Sequence, residues 1–407
     1  MKILVINGDC IQTNTSANLC HLAYLRGLLA AGHQVTLLSA DGRDYTIDPA
    51  MTIPEQVTQY IVYGVSFYEK LSLKKRENEG SALPSSLGVP SKSASGGTVH
   101  KAIAKIKSAV LALYGVHGIY TTFVRKAQKF KLDEKFDYII SISTPVTSHL
   151  LTHNLLKAGH IKGTHWIQIW EDPWYSDAYG FNGEEKIRRE EKRLLSFAEK
   201  VCYVSPLTLE NQKRLFPESA HKMFWQPLPF YYQSDTMCDF PLSGNHYGYF
   251  GDYVPVARNL EPFYIAAKKT GIKVNICGNP SNLFPSTDQI HIHPRLPLNE
   301  LKPIEDSTNV LVFLCNRKGG QIPGKIYQYS ATNKTILFIM DGTEEEQRVL
   351  WEFFGKYNRY VFCRNTVDDI ARAIQEIETN NLGDVQNTPL DEFNPVKTIT
   401  NILEAVR

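Results

Sequence analysis

No two cysteines of this chain are spaced as CxxC, and most of the seven lie inside apolar runs such as Val201-Cys202-Tyr203 and Phe313-Leu314-Cys315. That excludes a disulfide scaffold and gives no zinc-ligand pattern. It predicts reduced, buried thiols in a cytoplasmic protein. No uncharged apolar run approaches the roughly 18 residues of a spanning helix. Met1-Lys2 leads into only the four apolar residues Ile3 to Ile6 before Asn7-Gly8-Asp9, which is not a secretory signal. Charge of one sign is lacking too. Forty-four basic residues against 42 acidic leave a formal +2, so no bulk electrostatic sink for nucleic acid is expected. No D-x-D triplet occurs, nor does the first βα turn carry G-x-G-x-x-G. A dinucleotide fingerprint is therefore absent there.

What is present is ordinary globular composition over 407 residues, 43% hydrophobic and 21% charged. That is enough chain for about two to three domains with full cores. Ile3 to Ile6 reads as a strand buried on both faces. Asn7 to Ser16 is a polar loop. Ala17 to Ala31 is helical in its apolar spacing, Gly32 stops it, and Val35 to Leu38 is the next strand. Strands recur at Tyr138 to Ser141, Trp166 to Trp170 and Lys200 to Val204. The stretch Gly183 to Lys200 is a charged helix whose pairs Glu184/Arg188 and Glu185/Arg189 suggest a solvated face.

Periodicity is lost from 226 to 245. A second βα series follows, with strands from Tyr247, Lys273 to Cys277, Ile290 to His293, Val310 to Cys315, Thr335 to Ile339 and Tyr360 to Cys363. Thr366-Val367-Asp368-Asp369 reads as a capping box opening a helix to Ile377. The expected organisation is α/β: a first domain over 1–228, a second over 240–385, and a last helix in 390–407 packing back on the first. Within the first domain, 79–98 is a Gly/Ser/Pro-rich loop. The region 101–131 carries seven lysines and arginines and no acid, interleaved with apolar residues. It reads as a surface helical hairpin or as a docking face for anionic lipid or a lipid-linked acceptor.

The most informative stretch is Gly319-Gly320-Gln321-Ile322-Pro323-Gly324-Lys325-Ile326-Tyr327-Gln328-Tyr329-Ser330-Ala331. It matches G-x-x-x-x-G-K, yet Ile326 stands where a phosphate loop needs Ser or Thr for magnesium. A proline, a glycine and a lysine at a helix start still suit a phosphate, although an ordinary helix start with a surface lysine fits equally. Asp172 follows a strand ending at Trp170, where α/β folds place ligands. It could orient a hydroxyl or act as a base, or simply cap a turn. Glu171 is the weaker candidate. Asn14, Thr15 and Ser16 offer hydrogen bonds, with plain helix capping as the alternative. His149 and Trp174 could touch a sugar or pack inside. His291 and His293 lack a third ligand, so no metal is expected.

The order of segments resembles that of GT-B glycosyltransferases, especially family-four-like bacterial sugar transferases. Pro323 through Ala331, then Lys334-Thr335-Ile336-Leu337, resembles their P-G-K-[IL]-x-E-Y-x-A segment, lysine and strand. Tyr249-Phe250-Gly251 with Arg258-Asn259-Leu260 resembles their diphosphate-cradling loop. Phe136 to Ser141 with Thr144-Pro145, Glu171-Asp172-Pro173-Trp174, and Phe197 to Ser205 resemble segments of their first domain. The resemblance implies two Rossmann-like domains facing across a cleft. It implies a nucleotide-diphosphate sugar bound by Gly251, Arg258, Pro323, Gly324, Lys325, Tyr327 and Gln328. Asp172, Arg258 and Lys325 would be catalytic, with no metal or other cofactor, and the anomeric configuration would be retained. A glycan or lipid-linked acceptor would meet Asn14, Thr15, Ser16, His149 and Trp174. The setting would be cytoplasmic, peripheral to the inner face of a membrane where 101–131 meets it. One departure stands out. The family's two glutamates fall on Gly320 and Gln328, and an amide lacks the charge that strengthens a bond to ribose. A nucleotide-sugar epimerase of the same fold and a non-catalytic partner subunit remain open.

Overall fold

The structure is a computed structural model that describes residues 1–42, 47–64, 70, 115–177, 184–231, 244–318 and 320–406. The 79–98 stretch and the 101–114 half of the basic region lie outside these residues. The strands are β1 Lys2–Asn7, β2 Gln34–Ala40, β3 Thr58–Val62, β4 Lys135–Ser143, β5 Lys162–Trp170, β6 Lys200–Tyr203 and β7 Met223–Trp225. They continue with β8 His246–Phe250, β9 Lys273–Cys277, β10 Ile290–His293, β11 Val310–Leu314, β12 Thr335–Met340 and β13 Val361–Arg364. The helices are α1 Ser16–Ala30, α2 Thr121–Ala127, α3 Thr147–Lys157, α4 Glu185–Phe197, α5 Pro206–Leu215 and α6 Glu261–Thr270. After them come α7 Leu298–Asp306, α8 Lys325–Ser330, α9 Glu344–Gly355, α10 Val367–Glu378 and α11 Pro395–Glu404.

The chain divides into two compact units. One holds Met1–Tyr203, Gln212–Trp225 and Thr400–Arg407; the other holds Val204–Asn211 and Gln226–Ile399. Each is built on one all-parallel sheet. The first has the order β3-β2-β1-β4-β5-β6-β7 and the second β10-β9-β8-β11-β12-β13. Both run outward in one direction from their first strand, then reverse, as in doubly wound nucleotide-binding sheets. The reversal falls between β1 and β4 in one unit and between β8 and β11 in the other.

The physical cause is visible in the strands. Val310-Leu311-Val312-Phe313-Leu314 is buried at every position, and Ile3 to Asn7 likewise. Such runs need helices on both faces. In the second unit α6 and α10 supply Phe263, Ala267, Ile370, Ala373 and Ile374 to a core shared with Val312, Leu314, Leu337 and Ile339. Each fully buried Val, Leu, Ile or Phe among them contributes about 1.5–3 kcal/mol. The six cysteines among the described residues are buried and form no disulfide. Among the described residues no helix is long and apolar enough to cross a membrane.

Candidate functional site

In the second unit the sheet reversal brings the ends of β8 and β11 together, the place where doubly wound sheets bind ligands. Gly251 and Asp252 follow β8; Cys315 and Asn316 follow β11. Arg258 spans them. Its Nε donates to Asn316 Oδ1 at 2.8 Å and its Nη1 to the Asp252 carbonyl at 3.1 Å. Asn316 passes the constraint on, because its Nδ2 donates to the Gln321 carbonyl at 3.0 Å, just before Pro323. Asp252 ties in two more loops. Its carboxylate accepts from the Asn279 N–H at 3.0 Å and pairs with Arg295 at 3.1 Å. Arg258 is thus held on two sides by groups that are not carboxylates.

Gly251 and Arg258 do come together, since a Cβ on Gly251 would sit 3.6 Å from Arg258 Nη1. The tighter glycine is one not picked out from the sequence. A Cβ on Gly278 would lie 2.0 Å from the Gly251 carbonyl oxygen, so the turn after β9 rests directly on the turn after β8. Gly320 has a φ of 70°, and a Cβ there would lie 2.8 Å from Leu207 Cβ. Its carbonyl accepts from the Ser205 hydroxyl at 2.6 Å.

Pro323 precedes the helix N-cap, Gly324, rather than standing in the first turn, and α8 is only six residues long. Lys325, its first residue, has Nζ 2.9 Å from Glu305 Oε1, with the two side chains 26% and 13% exposed. Glu305 lies on α7, which the sequence did not mark. Gln328 Oε1 accepts from the Tyr231 N–H at 2.9 Å, which ties this amide to the chain shortly after Gln226. Tyr327 was expected to touch the donor. It is fully buried, 4.9 Å from the Phe393 ring, with its hydroxyl 3.5 Å from the Val204 carbonyl. Its burial makes it a packing residue on the inner face of α8 rather than one presented to a ligand.

In the first unit, Gly8 follows β1 and donates its N–H to Ser148 Oγ at 2.8 Å, and Ser148 in turn donates to the Pro145 carbonyl. Thr15, expected among acceptor contacts, is the N-cap of α1. Its Oγ1 accepts from the Asn18 N–H at 3.1 Å. Asn14 donates to Asp48 at 2.9 Å, and Ser16 is exposed at the start of α1. His149 is fully buried, bonded through Nδ1 to Ser141 Oγ at 2.8 Å and 4.5 Å from the Trp170 ring. Burial lowers its pKa to about 3, so the ring is neutral and packs in the core.

Asp172 and Trp174 are half-buried in the turn after β5. The neighbouring carboxylate, Glu171, holds the more organised position. Its Oε2 lies 3.1 Å from His21 Nε2, and His21 Nδ1 contacts Asn7 at 3.0 Å and Asn18 at 3.2 Å. Burial raises the Glu171 pKa, opposed by His21. Sequence spacing gives no hint of a pair 150 residues apart in chain order. Among the described residues no group of His, Cys, Asp and Glu could hold a metal ion.

No protein-family model matches the chain, and no curated protein sequence does. Solved structures do match. Sucrose-phosphate synthase from Thermosynechococcus elongatus aligns over 100% of this chain and 96% of its own, at 13% identity and a TM-score of 0.56. The lipopolysaccharide outer core galactosyltransferase WaaB, in its apo form, aligns over 100% and 99%, at 10% identity and a TM-score of 0.51. With two parallel Rossmann-like sheets of seven and six strands and these likenesses over its full length, the chain has the GT-B fold.

Proposed function

We propose that the chain is a glycosyltransferase. It moves a sugar from a nucleotide-diphosphate sugar to an acceptor hydroxyl in the synthesis of bacterial surface polysaccharide or glycoconjugate, with retention at the anomeric carbon. The observation that carries this reading is Arg258, bridged between the ends of β8 and β11 at the sheet reversal of the second unit. A cation fixed there needs no reorganisation as charge develops on a departing diphosphate. Lys325 adds the second cation once phosphate competes with Glu305 for it. These two residues supply the charge stabilisation, and the reading assigns no resident metal or other cofactor.

The first unit holds the acceptor, a glycan or lipid-linked glycan, near the turn carrying Asp172 and Trp174. Asp172 orients the attacking hydroxyl, and Trp174 offers a ring face to a sugar. The protein works in the cytoplasm, at the inner face of a membrane where the 101–131 region meets lipid.

Titration calorimetry with UDP, GDP, ADP and CMP on wild type, Arg258→Ala and Lys325→Ala tests the reading. Binding of one nucleoside diphosphate, weakened in both variants, is expected. Absence of binding to all four would sink the enzyme and favour a non-catalytic partner subunit, a role that the structural engagement of Gln328 by Tyr231 would suit. Turnover of the sugar nucleotide without any acceptor would favour an epimerase.

A further inference from the structure

We propose that Glu191 is a positioning residue: its buried carboxylate holds the backbone of Trp174 and Tyr175 and thereby sets the turn that presents Asp172 and Trp174. The inference rests on the acceptor reading above only for what the turn does, not for what holds it.

Glu191 lies on α4 and is fully buried. Its Oε2 accepts from the Tyr175 N–H at 2.6 Å. Its Oε1 accepts from Gln212 Nε2 at 3.1 Å and faces the Trp174 N–H at 3.5 Å. A buried carboxylate is costly unless it is satisfied, and one that receives successive backbone N–H groups fixes the local chain path. The adjacent residue adds a second contact. Glu190 contacts His117 Nε2 at 2.8 Å and accepts from Arg193 at 2.7 Å. The His117 ring lies 5.1 Å from the Trp174 ring. Burial opposes ionisation of Glu190, but the bonds from Arg193 and His117 outweigh it and bring its pKa to about 2. Two consecutive acids on one helix therefore grip Trp174, one by its backbone and one through an aromatic neighbour.

The Glu191 carboxylate faces Asp177 from the same turn and Tyr203 from β6, with Gln212 on α5 as its neutral partner. Burial is the main cause, and Asp177 adds to it, in raising the Glu191 pKa to about 7. The bonds to Trp174 and Tyr175 then weaken as the solution is acidified through neutrality.

The test uses the full chain as wild type, Glu191→Gln, Glu191→Ala and Trp174→Phe. Amide hydrogen exchange at a fixed, mildly alkaline pH should be about tenfold faster at Trp174 and Tyr175 in both Glu191 variants, while β4 and β5 keep their protection. Trp174 emission, taken as wild type minus Trp174→Phe, should titrate in wild type near neutrality and be flat in Glu191→Gln. Glu191→Gln preserves volume, so it reports even if Glu191→Ala fails to fold. Unchanged exchange at Trp174 and Tyr175 in Glu191→Gln would overturn the inference, as would an emission titration that survives that substitution. A third arm uses octyl glucoside as the probe. Quenching of Trp174 emission that weakens severalfold in Glu191→Gln extends the inference to binding. If exchange responds but wild type ignores octyl glucoside, the acceptor reading of Trp174 fails and the role of Glu191 in positioning stands.

Discussion

If Lys325 receives a donor diphosphate, its pairing with Glu305 is a competitor that can be removed. The Nζ–Oε1 distance is 2.9 Å, and both side chains are mostly shielded, at 26% and 13% exposed. A phosphate arriving at Lys325 meets a cation already compensated and a carboxylate of its own sign. At about 6 Å, two unit charges interact by about 0.7 kcal/mol in water and about 3 kcal/mol at an effective dielectric of about 20. Partly shielded groups lie between these limits, and screening by salt lowers the result. About 1 kcal/mol is therefore expected, or roughly a fivefold change in affinity. Glu305→Gln keeps the side-chain volume and an oxygen for Nζ while removing the charge. It should tighten binding of the nucleoside diphosphate by about fivefold in calorimetric titration at low salt. In a Lys325→Ala background the same substitution should gain much less, because the repaired cation is gone. Equal or weaker binding in Glu305→Gln would refute the reasoning. So would a gain that persists undiminished without Lys325, since Glu305 would then be acting on something else.

Three further outcomes are expected. Glu191 has an ordinary pKa of 4.5 and a folded value raised to about 7, so the folded state prefers it protonated. Its stability contribution is most favourable below the unfolded pKa and falls as pH rises through the folded one, by about 3 kcal/mol at about 1.4 kcal/mol per unit. Urea unfolding between about pH 5 and about pH 8 should show that slope in wild type and lose it in Glu191→Gln. Gly278→Ala forces a Cβ to 2.0 Å from the Gly251 carbonyl and should lower stability by about 2 kcal/mol or more, whereas Gly251→Ala meets nothing closer than 3.6 Å and should melt near wild type. Thermal melts compare the two directly. Tyr327→Phe should change stability by less than about 1 kcal/mol and leave diphosphate binding intact, while Tyr327→Ala should cost about 3–5 kcal/mol by emptying a fully buried aromatic site.

The sheets were legible because parallel strands covered on both faces become short apolar runs. Val310 to Leu314 and Ile336 to Ile339 leave little else to propose. The strands that escaped are those without that cause. Thr58–Val62 has no fully buried position, and Met223–Trp225 is three residues long. Helix α9 escaped although its start carries a complete capping box, Thr343 with Glu346, beside Gly342. At Thr366 the hydroxyl does accept from the Asp369 N–H, with the carboxylate bonded to the hydroxyl itself.

The site was legible as residue types and not as partners. The sequence offers Lys325 as a free cation and Gln328 as a free amide, because nothing local announces Glu305 or Tyr231. Thr15 and Tyr327 show the same limit, since a cap and a core aromatic look like ligands until their neighbours are known. Glu191 differs, because its signal is present in the helical phase of α4. The charges of α4 suggest a solvated helix with Glu184/Arg188 and Glu185/Arg189 pairs. The structure instead pairs Arg188 with Glu185 at 3.7 Å and Lys186 with Glu184 at 2.7 Å. The buried positions of α4 are Ile187, Glu191, Leu194 and Leu195. The spacing i, i+4, i+7, i+8 is an apolar stripe with one carboxylate in it. A lone acid on such a stripe must find donors inside the protein. It finds them in the N–H groups of the turn that carries Trp174 and in the Gln212 side-chain amide. Helical phase therefore marks Glu191 as a residue with an internal task, where composition alone marks it as surface.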